Sequence, residues 1–203
     1  MSTRLLKYTT DKLIAVILII LLSPVMLIII TAMWIEGLVN EDSKGTPMYR
    51  EKRISQGKPF ILYKFRTLKM DAINKMTETD SATFLQNNNK NTTRTGKLLI
   101  KVYFDEMPQL FNIVAGKMSL VGPRPRIPQV YEEDLRNGYT ALQYLRAGIT
   151  GPHQVTKGKR NCSLERSEEY YRKTMEYGSF KLLVYDLGIM VRTIFTVLQA
   201  KGL

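Results

Sequence analysis

An uncharged apolar segment near the N-terminus restricts the possible folds of this chain more than any other feature. It covers Leu13–Ile35, and the basic residues that precede it are Arg4, Lys7 and Lys12. About twenty apolar residues cross a bilayer as one helix, and the run is too long for a cleaved signal peptide. Ser23 and Pro24 lie near its centre, where proline removes a backbone donor and kinks a helix. Two topologies stay open: a spanning helix, and a re-entrant helix that bends at Ser23-Pro24 and returns to the same face.

Charge and cysteine content indicate the surroundings of the rest of the chain. Over 203 residues the formal net charge is +12, which favours an anionic partner: nucleic acid, an acidic membrane surface or a phosphorylated substrate. The only cysteine, Cys162, cannot form an internal disulfide, which fits a reducing, cytosol-facing body. The only histidine, His153, excludes histidine-rich metal sites, and we interpret it as structural rather than catalytic.

The body after the apolar segment is predicted to be α+β and mostly helical. Residues 46–70 predict two short strands around a turn at Gln56–Pro59. Residues 71–96 are rich in Asn and Thr and predict a mobile loop that orders over a ligand. Met107–Val114 predicts a helix that ends at Gly116. The body therefore contains a short β-hairpin followed by helices.

The second half of the body predicts one rigid loop and several helices. Residues 119–128 contain three prolines and predict an extended loop. Residues 128–146 predict one or two amphipathic helices. The C-terminal run from Ser179 is apolar at helical spacing but carries Lys181, Asp186 and Arg192, so it predicts either a core helix or a helix in the membrane interface.

Basic residues cluster on the predicted hairpin, and two of them are candidates for binding a phosphate. Lys64 and Arg66 stand at positions i and i+2, which places them on one side of a strand. One interpretation is a solvated basic face near anionic lipid. The other is a pair of cations directed at a phosphate group.

The adjacent carboxylates of Asp105 and Glu106 also allow two interpretations. Asp and Glu just before a helix, with Pro108 in its first turn, form a favourable helix start. The same position suits a nucleophile, because a helix N-terminus keeps Asp ionised and attracts phosphate. Glu106 would then be free to hold Mg²⁺ on the same diphosphate. Lys117, Arg124 and Arg126 follow closely enough to supply positive charge.

Four motifs together resemble one family over nearly the whole chain. They are the apolar segment with central Ser-Pro, "GKPFILYKFRT", "DEMPQLFNIVAGKMSLVGPRP" and "GITG". This combination resembles the bacterial sugar transferases, in the minimal form of the membrane-monotopic phosphoglycosyl transferases. The resemblance implies a re-entrant anchor over residues 1–38, broken at Ser23-Pro24. It also implies a cytosol-facing catalytic domain over residues 39–203, with interfacial helices on the bacterial inner membrane.

The resemblance also implies a reaction and a set of site residues. Asp105 would attack the β-phosphate of a UDP-sugar and release UMP, and polyprenyl (undecaprenyl) phosphate would then accept the phosphosugar. Glu106 would bind Mg²⁺, while Lys64 and Arg124 would contact the phosphates. The other residues assigned to substrate binding are Arg66, Lys101, Gln109, Pro123 and Pro125. Membrane lipid is an implied partner and nucleic acid is not, while monomer and homodimer both stay open.

The chain departs from the family pattern in two places. The family usually has Ser-Leu directly before the acidic pair and an Arg a little earlier. This chain reads "KVYFDE" there, and Lys101 is the residue nearest to the position of that Arg. Pro152-His153 stands where Trp-Ala is usual in the family.

The competing hypothesis is a non-enzymatic, membrane-anchored basic module that binds anionic lipid or nucleic acid, although it leaves the acidic pair unexplained. The sequence does not specify the sugar.

Overall fold

The computed structural model describes residues 3–76, 90–152 and 160–198. It is mostly helical with a β-hairpin, as predicted, and has a second small sheet that was not predicted, because residues 118–121 at the start of the expected loop form a strand. His153 lies outside the described residues, and Cys162 lies within a helix. The helices are α1 (Thr3–Val39), α2 (Met70–Asn74), α3 (Arg94–Val102), α4 (Gln109–Val114), α5 (Pro128–Arg136), α6 (Ala141–Tyr144), α7 (Arg160–Glu176) and α8 (Ser179–Leu198). The strands are β1 (Met48–Ser55), β2 (Lys58–Phe65), β3 (Met118–Val121) and β4 (Ala147–Thr150).

Helix α1 contains the whole apolar segment and packs one stripe against the body. Its buried apolar positions recur at helical spacing and are Ala15, Met26, Ile29 and Met33. The opposite face is apolar and exposed, and includes Leu13, Ile17, Ile20, Leu21, Leu27, Ile28 and Trp34. Within the described chain α1 is the one helix long and apolar enough to cross a membrane. Its outward face therefore has the composition of a lipid contact rather than a water contact.

Helical structure continues through the predicted break in α1. Pro24 lies inside the helix, and the Ser23 hydroxyl donates to the Ile20 carbonyl at 2.8 Å. Such a bond from a serine takes up a carbonyl close to the proline. The backbone is thus not interrupted at Ser23-Pro24, and the re-entrant path stays a prediction.

Both ends of α1 contact the same globular body. Near its start, Lys7 Nζ donates to Asp186 Oδ2 in α8 at 2.6 Å. At its other end, the Glu36 carboxylate accepts the backbone N–H groups of Arg94 and Thr95, at 2.7 and 2.9 Å. The first N–H groups of a helix have no partner within the helix, so the Glu36 carboxylate satisfies two of them and also complements the dipole of α3.

Strands β1 and β2 form the predicted hairpin. Their antiparallel register runs from Met48 opposite Phe65 to Ser55 opposite Lys58. The two turn residues have positive φ, 52° at Gln56 and 68° at Gly57, as a tight two-residue hairpin turn requires. The two predicted strands are confirmed, and the turn is confined to Gln56-Gly57, because Lys58 and Pro59 already belong to β2.

Strands β3 and β4 are parallel and extend into the proline-rich loop. Gly122 N donates to Thr150 O and Gly148 N donates to Pro123 O, both at 2.9 Å. A Cβ atom on Gly148 would lie 2.2 Å from Gly122 N, so the approach of these two chains requires glycine. The loop that carries Arg124 is therefore held by backbone bonds on both sides of Gly122.

Predictions for the remaining segments are confirmed in part. Helices α5 and α6 lie within 128–146, as expected. The expected loop over 71–96 was wrong at its ends, because α2 begins at Met70 and α3 at Arg94; residues 77–89 lie outside the described residues. Thr93 caps α3 by accepting the Gly96 N–H at 2.9 Å.

The C-terminal helix α8 combines the two predicted alternatives, one on each face. Leu182, Asp186 and Ile189 are buried in the body. The exposed surface is rich in large apolar residues, with Lys181 and Arg192 among them; the apolar ones are Phe180, Val184, Leu187, Val191, Ile194 and Phe195. Contact of this face with the membrane interface stays a prediction.

A buried polar network joins α1 to the body. Lys7 is paired with Asp186 and, at 3.3 Å, with Asp11, while Tyr170 Oη donates to Asp186 at 2.7 Å. Asp11 also accepts from the Ser119 hydroxyl. Each of these side chains is at most 5% exposed. Charges buried this deeply are tolerated only with partners, so the network fixes where α1 meets α7, α8 and β3.

Candidate active site

The acidic pair lies in a 3₁₀ turn, Phe104–Glu106, between α3 and α4. Tyr103 ends α3 in the left-handed conformation, with φ of 59°, and this reverses the chain into the turn. Neither the turn nor α4 has a side-chain cap bond at its start. The helix-cap interpretation of Asp105 was therefore wrong, because its carboxylate lies inside the turn and caps no helix.

Glu106 is held by a cation from the hairpin. Lys64 Nζ donates to Glu106 Oε1 at 2.8 Å, and the two side chains are 9% and 26% exposed. Burial alone would raise the pKa of Glu106, but the charges of Lys64, Arg124 and Arg53 outweigh it and lower that pKa. Glu106 thus stays ionised near neutral pH.

Asp105 has a different environment from its neighbour. It is 5% exposed, and burial raises its pKa to about 6, with Lys64 opposing the shift and the Glu106 charge adding to it. Two adjacent carboxylates therefore differ in protonation behaviour because only one of them bonds to the lysine. Such divergence within a pair is typical of functional sites.

Asn112, which the sequence analysis did not single out, joins α4 to β2. Its Oδ1 accepts the Tyr63 N–H at 3.0 Å, and its Nδ2 donates to the Ile61 carbonyl at 2.7 Å. Because Lys64 follows Tyr63 directly, this side-chain amide sets the distance between the turn with the acidic pair and the strand with the lysine. An asparagine inside an otherwise apolar helix was the signal available in the sequence.

Two predicted phosphate contacts, Arg124 and Lys64, are brought together around Glu106. Arg124 is half-buried, and its charge acts on Glu106. Pro123 is buried and Pro125 half-buried on either side of it. Gln109 is 2% exposed in the first turn of α4. Lys101 is exposed in the last turn of α3.

Arg66 occupies a structural position instead of the predicted phosphate site. Its guanidinium donates to the carbonyls of Thr46, Leu68 and Ser43, at 2.8, 2.8 and 2.6 Å. Strand β2 ends at Phe65, so the alternation that was expected to place Arg66 beside Lys64 no longer applies. The side chain is 2% exposed and ties the hairpin to the segment after α1.

The acidic pair has the ligand chemistry that Mg²⁺ prefers. Mg²⁺ binds through one or two carboxylates and completes its octahedron with substrate phosphates and water. The described ranges contain no cluster of three or more His, Cys, Asp or Glu side chains that could hold a metal. Glu106 therefore fits a metal shared with a phosphorylated substrate, rather than one caged by protein.

A family model for bacterial sugar transferases matches residues 2–200. This chain belongs to the bacterial sugar transferase family. Its relatives include the UDP-glucose:undecaprenyl-phosphate glucose-1-phosphate transferase of Klebsiella pneumoniae, 32% identical over 93% of this chain and 39% of that protein. The UDP-N-acetylgalactosamine-undecaprenyl-phosphate N-acetylgalactosaminephosphotransferase of Aeromonas hydrophila is 33% identical over 97% and 44% of the two chains.

A shorter relative matches part of the chain. The putative undecaprenyl-phosphate N-acetylgalactosaminyl 1-phosphate transferase of Bacillus subtilis is 39% identical over 49% of this chain and 53% of its own length. This sugar transferase spans about two fifths of the first two relatives, with 39% and 44% of their lengths covered. The family resemblance found in the motifs is confirmed.

Proposed function

We propose that this sugar transferase moves a phosphosugar from a UDP-sugar to polyprenyl phosphate through a covalent intermediate on Asp105. The observation that carries the proposal is the buried Asp105 beside an ionised Glu106 that Lys64 holds at 2.8 Å. UDP-sugars and undecaprenyl phosphate appear in the names of its relatives. A lipid acceptor agrees with the exposed apolar faces of α1 and α8.

In the first step, an Asp105 oxygen attacks the β-phosphorus, which carries the sugar. The bond between this phosphorus and the bridging oxygen breaks, and UMP leaves with the electron pair. The product is an acyl phosphate, a recognised form of covalent catalysis. Lys64 and Arg124 neutralise charge on the phosphoryl oxygens as the bond breaks.

In the second step, an oxygen of polyprenyl phosphate attacks the same phosphorus. The Asp105 carboxylate leaves, and polyprenyl diphosphate-sugar is formed. Glu106, together with the donor phosphates, would hold Mg²⁺, which supplies charge neutralisation when it is bound. Such a transfer would start the assembly of a lipid-linked glycan.

The acceptor requires the site to lie at a membrane surface, and a re-entrant α1 provides this. Both ends of α1 contact the body, through Lys7 and through Glu36. A straight helix of 37 residues would be about 55 Å long, so a spanning path would separate its ends by a whole bilayer. We propose that α1 enters and leaves on the cytoplasmic face of the inner membrane.

The released nucleotide tests the proposed reaction. Incubation with UDP-sugars, Mg²⁺ and polyprenyl phosphate should release UMP, whereas UDP release would indicate an ordinary glycosyltransferase. Asp105→Asn should abolish turnover and any trappable phosphosugar adduct, while Asp71→Asn, an exposed aspartate of α2, serves as the control. Full activity in Asp105→Asn would rule out the nucleophile.

The competing basic module makes the opposite prediction. A protein that binds anionic lipid or nucleic acid through charge alone would bind polyanions with a steep salt dependence, and Asp105→Asn would not weaken that binding. Such a protein would release neither UMP nor UDP from a UDP-sugar. The buried acidic pair favours the enzyme, because a purely electrostatic binder has no use for it.

A further inference from the structure

Arg53 of strand β1 is a buried arginine that the proposed mechanism has not used. It is 8% exposed. Tyr49 stands opposite Lys64 in the hairpin register, and opposite residues share a face of the sheet. Arg53 is four residues beyond Tyr49, so it lies on the same face as Lys64.

The guanidinium of Arg53 joins the hairpin to the loop that carries Arg124. Its Nη2 pairs with Glu51 Oε2 at 2.7 Å, and its Nη1 donates to the Pro125 carbonyl at 3.4 Å. The next residue supports the same junction, because Ile54 N donates to Arg126 O at 2.8 Å. Two consecutive residues of β1 thus hold two consecutive residues of the loop.

Arg53 differs from the structural Arg66 in one respect. All three guanidinium nitrogens of Arg66 donate to carbonyls. Arg53 Nε is buried without a hydrogen-bond partner in the described structure. Leaving a buried N–H unpaired is unfavourable. If Arg53 had only a structural role, pairing this N–H would make the fold more stable. The charge of Arg53 also acts on Glu106, together with those of Lys64 and Arg124.

We propose that Arg53 is a positioning residue of the transferase: it fixes the Pro123–Pro125 loop against β1 and thereby sets the place of Arg124. This inference rests on the proposed function. Arg53 acts through Arg124, so the two residues should behave as a coupled pair rather than as independent contacts.

A double-mutant cycle tests this coupling. With UMP release as the assay, Arg53→Gln should lower kcat/KM for the UDP-sugar about tenfold or more, as expected for a lost charge-assisted hydrogen bond. The Arg53→Gln/Arg124→Gln enzyme should lose little beyond Arg124→Gln alone. Losses that multiply would overturn the proposal, as would an unchanged kcat/KM in Arg53→Gln.

Conservative and control variants separate positioning from folding. Arg53→Lys keeps the charge but cannot make the forked contact to Glu51 and Pro125, so it should recover part of kcat/KM at an unchanged melting temperature. Arg50→Gln, on the exposed face of the same strand, should match the wild type. Full recovery in Arg53→Lys would show that charge alone suffices and would overturn the positioning role.

Binding of UDP keeps the two proposals distinguishable. If the wild type released no UMP, the proposed function would fail, and calorimetric titration with UDP would still test Arg53. Weaker UDP binding in Arg53→Gln, without further loss in the double variant, supports the positioning role. Equal UDP affinity in the wild type and Arg53→Gln contradicts it.

Discussion

Lys7 and Asp186 are 179 positions apart in the chain, yet their side chains form a buried ion pair at 2.6 Å. The pair joins the start of the apolar helix to the C-terminal helix. Tyr170 Oη donates to the other oxygen of Asp186 at 2.7 Å, so three segments meet at one carboxylate. This buried lysine therefore helps to fix where the start of α1 packs on the body.

Replacing Lys7 should destabilise the whole protein. Lys7→Met leaves Asp11 and Asp186 buried without their cation, and breaking a buried pair costs about 3–5 kcal/mol. We expect a clear drop in melting temperature in detergent, whereas Lys12→Met, an exposed lysine of the same helix, should change little. Equal melting temperatures for both variants would show that the network contributes no stability.

Replacing Lys64 should impair chemistry more than folding. Lys64→Gln removes the cation bonded to Glu106, and loss of one electrostatic contact in a preorganised site typically costs about 10²–10³ in kcat. The rate of UMP release in a single turnover measures this loss. Lys58→Gln is the matched control, because Lys58 lies on the same face of β2 at its exposed end. Similar rates for Lys58→Gln and Lys64→Gln would exclude a specific role for Lys64.

Asn112→Leu should separate the turn with the acidic pair from strand β2. The change leaves the Tyr63 N–H and the Ile61 carbonyl unpaired, at about 1–3 kcal/mol for each buried group. Thermal unfolding should show the lower stability, and activity per folded molecule should also fall because Lys64 follows Tyr63. Asn137→Leu, at an exposed helix end, should affect neither quantity.

Removal of divalent cations should stop UMP release. EDTA treatment is expected to abolish the first step, and added Mg²⁺ should restore it. Glu106→Gln should raise the Mg²⁺ concentration needed for half-maximal activity, because it removes the carboxylate assigned to the metal. Activity that persists in EDTA would contradict the assignment of Glu106 to the metal.

Labelling of single cysteines can decide the topology of α1. In a Cys162→Ser background, Thr3→Cys and Gly45→Cys should both react from the cytoplasmic side if α1 is re-entrant, and from opposite sides if it spans. Pro24→Leu restores a backbone donor inside the helix and should move the segment toward spanning. Opposite-side labelling in the unmodified helix would overturn the re-entrant proposal.

Local patterns predicted the parts of the fold that depend on neighbours in sequence. The hairpin turn at Gln56-Gly57 and the helix after Pro108 were both correct. Helix α3 was missed because Gly96 lowers helix propensity. A Cβ atom there would lie 2.3 Å from the Thr67 carbonyl oxygen, so the glycine is required by packing that the sequence alone does not reveal.

Contacts between distant segments account for the errors at the site. Arg66 was paired with Lys64 by strand alternation, but the strand ends one residue before it, and three carbonyls from other segments bind its guanidinium. The departure from the family pattern at Tyr103-Phe104 coincides with a backbone feature that the sequence did not predict, a φ of 59° at Tyr103. A left-handed residue there separates α3 from the 3₁₀ turn and turns the acidic pair inward.

The outward apolar face of α1 bears on which acceptor concentration sets the rate of the proposed second step. An enzyme held in the bilayer by residues such as Leu13, Ile20 and Trp34 encounters a lipid-linked acceptor by diffusion in a plane. Surface density, expressed as the mole fraction of polyprenyl phosphate among lipids, then replaces bulk concentration as the variable that sets the rate. Adding inert lipid at constant total acceptor should slow the second step and leave UMP release in the first step unchanged.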